Sequence, residues 1–214
     1  MCCWRTRLGV NGAMTARRLT ALLITVVVVA ALWGQFVING AKPGLEPWGW
    51  RLWGLMRFFT ILTNALVAVQ MGQVALRGRA PADLEAAACL NIAMVGIIYH
   101  TLLVPETPFT GADWFTDFTF HTAVPVLVPL WFLAFGQKDL RLSHLPLWLI
   151  WPLVYCIFAM IRGAVTGVYP YFFVDVGHYG LARILLNITG LVLVFALAAL
   201  VLWALARALH RRSA

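Results

Sequence analysis

Two polar residues within long apolar stretches, Thr60 and His121, are of the types that carry out nucleophilic acyl transfer. A neutral histidine can take the proton of a hydroxyl group and so make threonine a nucleophile toward a carbonyl carbon. Asp117 precedes His121 by one helical turn, where a carboxylate can orient the imidazole and stabilise its charged form. Since Thr60 and His121 are far apart in the sequence, this chemistry depends on the elements that bring them together.

The surroundings of His121 favour a neutral ring beside a cavity. Pro125 lies four residues later and has no N–H, so we expect a kink where the His121 carbonyl loses its helical partner. We also expect His121 to lie near the N-terminus of its helix, where the helix dipole disfavours a charged imidazole. The GxSxG motif of soluble serine hydrolases is absent from the sequence, as is the HExxH motif of zinc proteases.

The stretch around Thr60 predicts a polar face on an otherwise apolar helix. Arg57, Thr60 and Asn64 are spaced i, i+3 and i+7, so on one helix they would share a face. In a membrane such a face points at other protein or at a polar cavity. Two plainer interpretations stay open. Thr60 could donate to the carbonyl one turn earlier, and Arg57 could extend to the membrane surface.

The composition is that of a membrane protein. The 214 residues are 62% hydrophobic and 11% charged, whereas a soluble domain has about 25% charged residues. The apolar residues form blocks of about 20 residues, which is the length that crosses a bilayer as a helix. A membrane β-barrel would show short alternating segments instead. The sequence therefore predicts an all-α integral membrane protein.

Six apolar blocks predict six transmembrane helices. Their approximate bounds are 19–39, 55–76, 84–104, 114–135, 145–166 and 181–205. We expect one transmembrane domain at 19–206, between a basic N-terminal tail at 1–18 and a basic C-terminal tail at 207–214. The segment before Met14, an alternative start, is expected to be unstructured.

The positive charges predict the orientation of the bundle. Most of the 16 lysines and arginines lie in the two tails and in the second and fourth loops. By the positive-inside rule, both termini are expected in the cytoplasm. We expect the protein in the plasma (inner) membrane.

This topology places several polar residues at one depth, in the outer half of the membrane. At about 1.5 Å of rise per residue, we expect each to lie within roughly 10 Å of the outer end of its helix. These residues are Arg57, Thr60, His100, His121, Arg162 and Asn187. Arg57, Asn64 and Asn187 are open alternatives for stabilising an oxyanion or binding a carboxylate, which arginine grips in a bidentate way. Asp175, in the loop before the last helix, could close over the layer, and the asparagines could instead bond neighbouring helices.

Three short motifs occur in an order that resembles a known family. They are Arg57-Phe-Phe-Thr60, Phe120-His121-Thr122-Ala-Val-Pro125 and Thr166-Gly167-Val-Tyr169-Pro170-Tyr-Phe. Together they resemble the androgen-induced gene 1 family, which includes the androgen-dependent TFPI-regulating protein. Members are multipass membrane hydrolases that cleave fatty acid esters of hydroxy fatty acids with a threonine and a histidine.

The resemblance implies roles for particular residues. It places the nucleophile at Thr60, the histidine at His121 and the Gly-x-Tyr-Pro loop, with Tyr169, before the last helix. Asp117 departs from the pattern, because an amide-type residue is expected there in the animal proteins. The partner of the histidine therefore stays open.

Two other functions use the same residues. A non-enzymatic carrier or sensor would bind a lipid or a small anion in the same polar pocket. Alternatively, His100 and His121 could ligate a haem across two helices. The four cysteines show no CxxC pair or metal spacing. We expect membrane lipids and a lipid ester as partners, with no cofactor, metal or nucleic acid.

Overall fold

The computed structural model describes residues 2–45, 47–105, 107 and 109–213, and within these ranges every regular element is helical. The α-helices are α1 (Cys2–Gly40), α2 (Trp48–Met56), α3 (Phe59–Arg77), α4 (Ala82–Ile98), α5 (Gly111–Phe118), α6 (Val124–Phe135), α7 (Leu145–Thr166), α8 (Val176–Tyr179) and α9 (Leu181–Ser213). A π-helical turn at Tyr99–Leu103 extends α4, and a second at Thr119–Ala123 joins α5 to α6.

Six helical segments of the described chain are long and apolar enough to cross a membrane. They are Gly12–Gly40, Phe59–Arg77, Ala82–Leu103, Gly111–Phe135, Leu142–Thr166 and Leu181–Arg211. The predicted all-α, six-helix architecture is thus confirmed. The segment before Met14 is helical from Cys2, so the expectation that it is unstructured is wrong.

α4 lies at the centre of the bundle, where it packs against α3, α6, α7 and α9. Its small residues allow this close packing, and Ala86 and Ala88 are fully buried. At Gly96 the approach is closest, because a Cβ there would lie 2.7 Å from Cβ of Pro125 in α6. This contact holds the π turn that carries His121 against α4.

The predicted second helix is broken at Arg57–Phe58. α2 ends at Met56 with Arg57 as its C-cap, and Phe58 is extended (φ −96°, ψ 127°) before α3 begins. Arg57 is therefore not on the helix face that Thr60 and Asn64 share, which corrects the expected i, i+3, i+7 face. Side chains from other elements bond the backbone groups that the break leaves without helical partners. Neither residue at the break is a glycine or a proline, so the sequence gives no sign of it.

The expected kink at Pro125 takes the form of a π turn. Val124 N–H bonds the carbonyl of Thr119, five residues back, so the chain widens just before the proline. Proline cannot bond the His121 carbonyl, and its ring would crowd that group in a regular helix. A π-helical turn inside an α-helix is commonly found at a functional site.

Polar pairs, one buried and one partly exposed, join the helices at the end of the bundle where α3 finishes. The Glu85 carboxylate is fully buried; it pairs with Arg17 and accepts from the backbone N–H of Gln137 at 3.0 Å. Asp83 accepts from the indole N–H of Trp148 at 3.0 Å and lies 2.9 Å from Nδ1 of His144. These bonds tie the ends of α1, α4 and α7 together, at the end opposite Thr60.

Candidate active site

An apolar cavity of about 100 Å³ opens between α3, α4, α7, α9 and the loop at 167–180. Hydrophobic side chains form nearly all of its wall. The oxygen-bearing side chains on it are four hydroxyls, those of Thr60, Tyr99, Tyr155 and Tyr171. The cavity is therefore suited to an apolar molecule with one polar group, as a lipid ester is.

Thr60 is 9% exposed and is the second residue of α3, directly after the chain break. Several threonines in the described helices donate to the carbonyl four residues earlier; these are Thr20, Thr25, Thr101, Thr119, Thr166 and Thr189. Thr60 makes no such bond, because the residue four positions earlier, Met56, belongs to α2. The chain break thus keeps the Thr60 hydroxyl from bonding its own helix, and on the cavity wall the hydroxyl bonds the Tyr171 side chain instead.

Tyr171 and Tyr155 surround the start of α3. The Tyr171 hydroxyl accepts from the backbone N–H of Phe59 at 3.1 Å, and the Tyr155 hydroxyl donates to the Arg57 carbonyl at 2.6 Å. Burial raises the pKa of Tyr171, against the opposing effect of its hydrogen bonds to the Thr60 and Tyr155 side chains. The two tyrosines therefore fix the break and bring neutral hydroxyls beside Thr60.

His121 belongs to a second cluster, with Asp117 and Tyr99. Its Nδ1 lies 2.9 Å from one carboxylate oxygen of Asp117, and the other carboxylate oxygen accepts from the Tyr99 hydroxyl at 2.7 Å. Since a carboxylate only accepts, the proton of the neutral imidazole belongs on Nδ1 and the lone pair on Nε2. Asp117 therefore orients the imidazole with Nε2 as its acceptor nitrogen, and the two residues are joined as their spacing predicts.

Tyr99 connects the two clusters. Its ring borders the cavity and also stacks on the His121 ring, with centroids 3.8 Å apart. α3 packs against the π turn that carries His121. Thr60 and His121 share no hydrogen bond in the described structure, and His121 is not on the cavity wall.

The depth of His121 differs from the expectation. The span that carries it begins at Gly111, so His121 lies ten residues from that end, about 15 Å at the usual helical rise. It is therefore not near the helix N-terminus, and the expected effect of the helix dipole on its ring does not apply. Its surroundings are set instead by Asp117 and Tyr99.

Three other predicted residues have structural partners. The Asn187 amide donates to the carbonyl of Phe173 at 3.0 Å and so ties the loop to α9. Asp175 caps α8 by accepting from the backbone N–H of His178 at 3.2 Å. Tyr169 packs flat over Gly163, where a Cβ would clash with its ring. All three hold the loop at 167–180 in place, and none of them lines the cavity.

The remaining predicted residues lie around the cavity at different positions. Asn64 donates to the Thr60 carbonyl at 2.9 Å, while its own carbonyl oxygen is buried without a partner in the described structure. His100 is exposed, with Nε2 3.1 Å from the Thr122 hydroxyl. Arg57 and Arg162 lie beyond the cavity and are stacked on aromatic rings. Of the predicted layer, only Thr60 lines the cavity.

Tyr99, Tyr155 and Tyr171 are absent from the residues that the sequence singled out. Each lies in or beside a membrane helix, where a phenol hydroxyl needs a partner. That rule could have marked them as polar contacts, but which groups they bond depends on the packing of helices.

Comparison of the chain with protein-family models, with curated proteins and with solved structures gives no match. The resemblance to the androgen-induced gene 1 family therefore stays a prediction. The class that the fold defines is a multipass α-helical membrane protein. Its function is argued below from the site alone.

Proposed function

We propose that the protein is an intramembrane hydrolase of lipid esters, of the kind that cleaves fatty acid esters of hydroxy fatty acids. The observation that carries the proposal is the Thr60 hydroxyl, which the break between α2 and α3 keeps from bonding its own helix and which lies on the wall of an apolar cavity. An ester group in this cavity would present its carbonyl to the four hydroxyls. The motif resemblance independently implies the same threonine.

In the proposed reaction, Oγ1 of Thr60 attacks the ester carbonyl carbon while Nε2 of His121 takes the hydroxyl proton. The tetrahedral intermediate then breaks its bond to the leaving alkoxide, which takes the proton back from His121. Water, deprotonated by the same nitrogen, hydrolyses the acyl-threonine and returns the hydroxyl. Catalytic hydrogen bonds commonly tighten only when substrate is bound, so we expect His121 to approach Thr60 once the ester enters.

Tyr171 is the group best placed to stabilise the oxyanion. Its oxygen accepts from Phe59 N–H and its hydroxyl also bonds the Thr60 and Tyr155 side chains, so an oxyanion formed beside Thr60 would replace one of these two side chains as its partner. Two of the candidates that the sequence suggested already use their amide N–H groups in other bonds. Asn187 is engaged with Phe173, and the amide group of Asn64 already donates to the Thr60 carbonyl. A donor placed at the developing charge commonly contributes about 10²–10³ in rate.

A carrier or sensor is the second candidate. The position of the histidine favours it: His121 shares no hydrogen bond with Thr60 in the described structure, and the Tyr99 ring stacks on its imidazole instead. Such a protein would bind a lipid in the cavity without turnover.

The test is hydrolysis of a lipid ester by the purified protein, together with labelling by a fluorophosphonate lipid probe. Thr60→Ala should lose both hydrolysis and labelling, and Thr60→Ser should retain labelling. Thr101→Ala is the matched control, because Thr101 is an exposed threonine at the same end of the bundle that bonds its own helix. Undiminished labelling of Thr60→Ala would overturn the nucleophile. Saturable lipid binding by a wild-type protein that neither labels nor hydrolyses would favour the carrier.

A further inference from the structure

Two arginines lie beyond the cavity at matching positions on two adjoining helical segments. On α2 and its C-cap, Arg57 follows Trp53 by four residues, and on α7 Arg162 follows Phe158 by four residues. Trp53 and Phe158 meet edge to face with centroids 6.4 Å apart, and the Arg162 guanidinium lies over the Trp53 ring at 4.4 Å. Residues four apart share a helix face, so the two Trp/Phe–Arg pairs form one interface.

Both guanidinium groups have buried N–H donors without acceptors. In the described structure, Nε of Arg57 and both Nε and Nη1 of Arg162 are buried and bond no oxygen. Aromatic rings stack on the faces of both guanidiniums, but they accept no conventional hydrogen bond from these N–H groups. A buried donor without a partner is costly, and more so on a charged group.

The two side chains also carry like charges, and Arg162 stacks on Trp53, which lies one helical turn before Arg57, so the two cations repel each other. Neither forms an ion pair within the described chain, whose ion pairs involve Arg17, His121 and His144. Each lies at or near the C-terminal end of a helix, where the dipole favours a cation. The helix dipoles stabilise the charge of both side chains, but they provide no hydrogen-bond acceptor for the buried N–H groups.

The space beside Arg162 is apolar and lies at the lipid-facing surface. A cavity of about 190 Å³ is lined there by Trp53, Phe158, Ile161, Arg162, Val165 and Thr166. Ile161 and Val165 are 62% and 80% exposed on the outer face of α7. A ligand that places an anion at the arginines therefore has hydrocarbon surface around it.

We propose that Arg57 and Arg162 bind the acidic head group, a carboxylate or a phosphate, of a single-chain membrane amphiphile. The anion accepts from the free N–H groups of both guanidiniums, which removes their repulsion and fills their empty hydrogen bonds. The chain lies against the apolar wall of α7. This site requires no ester cleavage, and it goes beyond the hydrolase proposal because it is defined by binding alone.

The experiment measures binding of radiolabelled oleate to the full chain in phosphatidylcholine nanodiscs. Unlabelled oleate and oleyl phosphate should each compete, and oleyl alcohol, which has neither a charge nor an ester group, should not. Arg57→Gln and Arg162→Gln should each weaken oleate binding by about tenfold or more, since each removes charge-assisted hydrogen bonds. Arg183→Gln, which removes an exposed arginine at the same end of the bundle, should bind as the wild type does.

A second measurement separates binding from folding. Without ligand, Arg162→Gln should unfold at a temperature no lower than the wild type, because it relieves the repulsion. Oleate should raise the unfolding temperature of the wild type and of Arg183→Gln but not that of Arg162→Gln. If Arg162 only stabilises the fold, Arg162→Gln would instead unfold at a lower temperature than the wild type without ligand. Equal affinity for oleyl alcohol and oleate would overturn the site, and competition by inorganic phosphate as strong as that by oleate would overturn its assignment to an amphiphile.

Discussion

The ring of Tyr99 lies almost parallel to the imidazole of His121, at an angle of 10° and a centroid distance of 3.8 Å. The same tyrosine borders the cavity that Thr60 faces and donates to Asp117. It therefore contacts both the histidine cluster and the cavity.

Tyr99→Phe keeps the stacking and removes only the hydroxyl. Because that hydroxyl donates to a carboxylate at 2.7 Å, we expect a loss of about 1.5–3 kcal/mol in the free energy of unfolding. Unfolding in detergent, followed by circular dichroism, measures this loss. Tyr179→Phe is the control, since Tyr179 is an exposed tyrosine in the outer loop. A Tyr99→Phe protein as stable as the wild type would show that the bond to Asp117 contributes nothing.

Asp117→Asn keeps the shape of the partner of His121 but removes its charge. The amide oxygen can still accept from Nδ1–H, so the ring orientation survives while the forming imidazolium loses its stabilisation. We expect the rate of ester hydrolysis to fall by at least about tenfold, with the KM nearly unchanged, because the effect arises in the transition state. Steady-state kinetics on the purified variant tests this. A rise in KM at constant kcat would instead place Asp117 in substrate binding.

The sequence predicts the helices better than it predicts their contacts. Hydropathy is enough for the six spans, since each crosses the membrane as a unit. It does not reveal the break at Arg57–Phe58, which contains no glycine or proline and is held by Tyr155 and Tyr171 from other elements. A break of this kind depends on tertiary hydrogen bonds that no local pattern contains.

Within the site, local spacing predicts only what lies on one helix. Asp117 and His121 are one turn apart, and the structure joins them as that spacing indicates. The cluster of hydroxyls around Thr60 comes from four separate segments, so periodicity could not find it. The pairing of Arg57 with Arg162 likewise depends on how α2 packs against α7.

Gly96→Ala tests the close packing that positions His121. A Cβ at Gly96 would lie 2.7 Å from Cβ of Pro125 and 3.3 Å from the His121 carbonyl oxygen. Neither a proline ring nor a backbone carbonyl can rotate away, so α4 and α6 must separate, at a cost of about 1–3 kcal/mol in stability. Hydrolysis should fall as well, since the π turn moves with Pro125.

Gly72→Ala is the matched control for this prediction. Gly72 is also a glycine inside a membrane-spanning helix, but its Cβ would meet Thr25 at 3.8 Å, an ordinary contact. We expect that variant to be as stable as the wild type or more stable, by up to about 1 kcal/mol, because alanine favours the helix. Equal losses in both variants would mean that the cost comes from the added methyl group and not from the contact with Pro125.

Tyr171→Phe should change how stability depends on pH. Burial raises the pKa of Tyr171 in the folded protein, so the phenol stays protonated there while the unfolded chain loses its proton above about pH 10. The unfolded state then binds fewer protons than the folded state, and the free energy of unfolding falls as the pH rises through that value. The stabilising contribution is complete below about pH 10 and is lost above it. Every other group that titrates in this pH range is present in both proteins. The difference between their free energies of unfolding therefore reports on Tyr171 alone. Unfolding measured from pH 8 to pH 11 should therefore show a steeper loss for the wild type than for the variant, and parallel curves would show that Tyr171 titrates alike in both states.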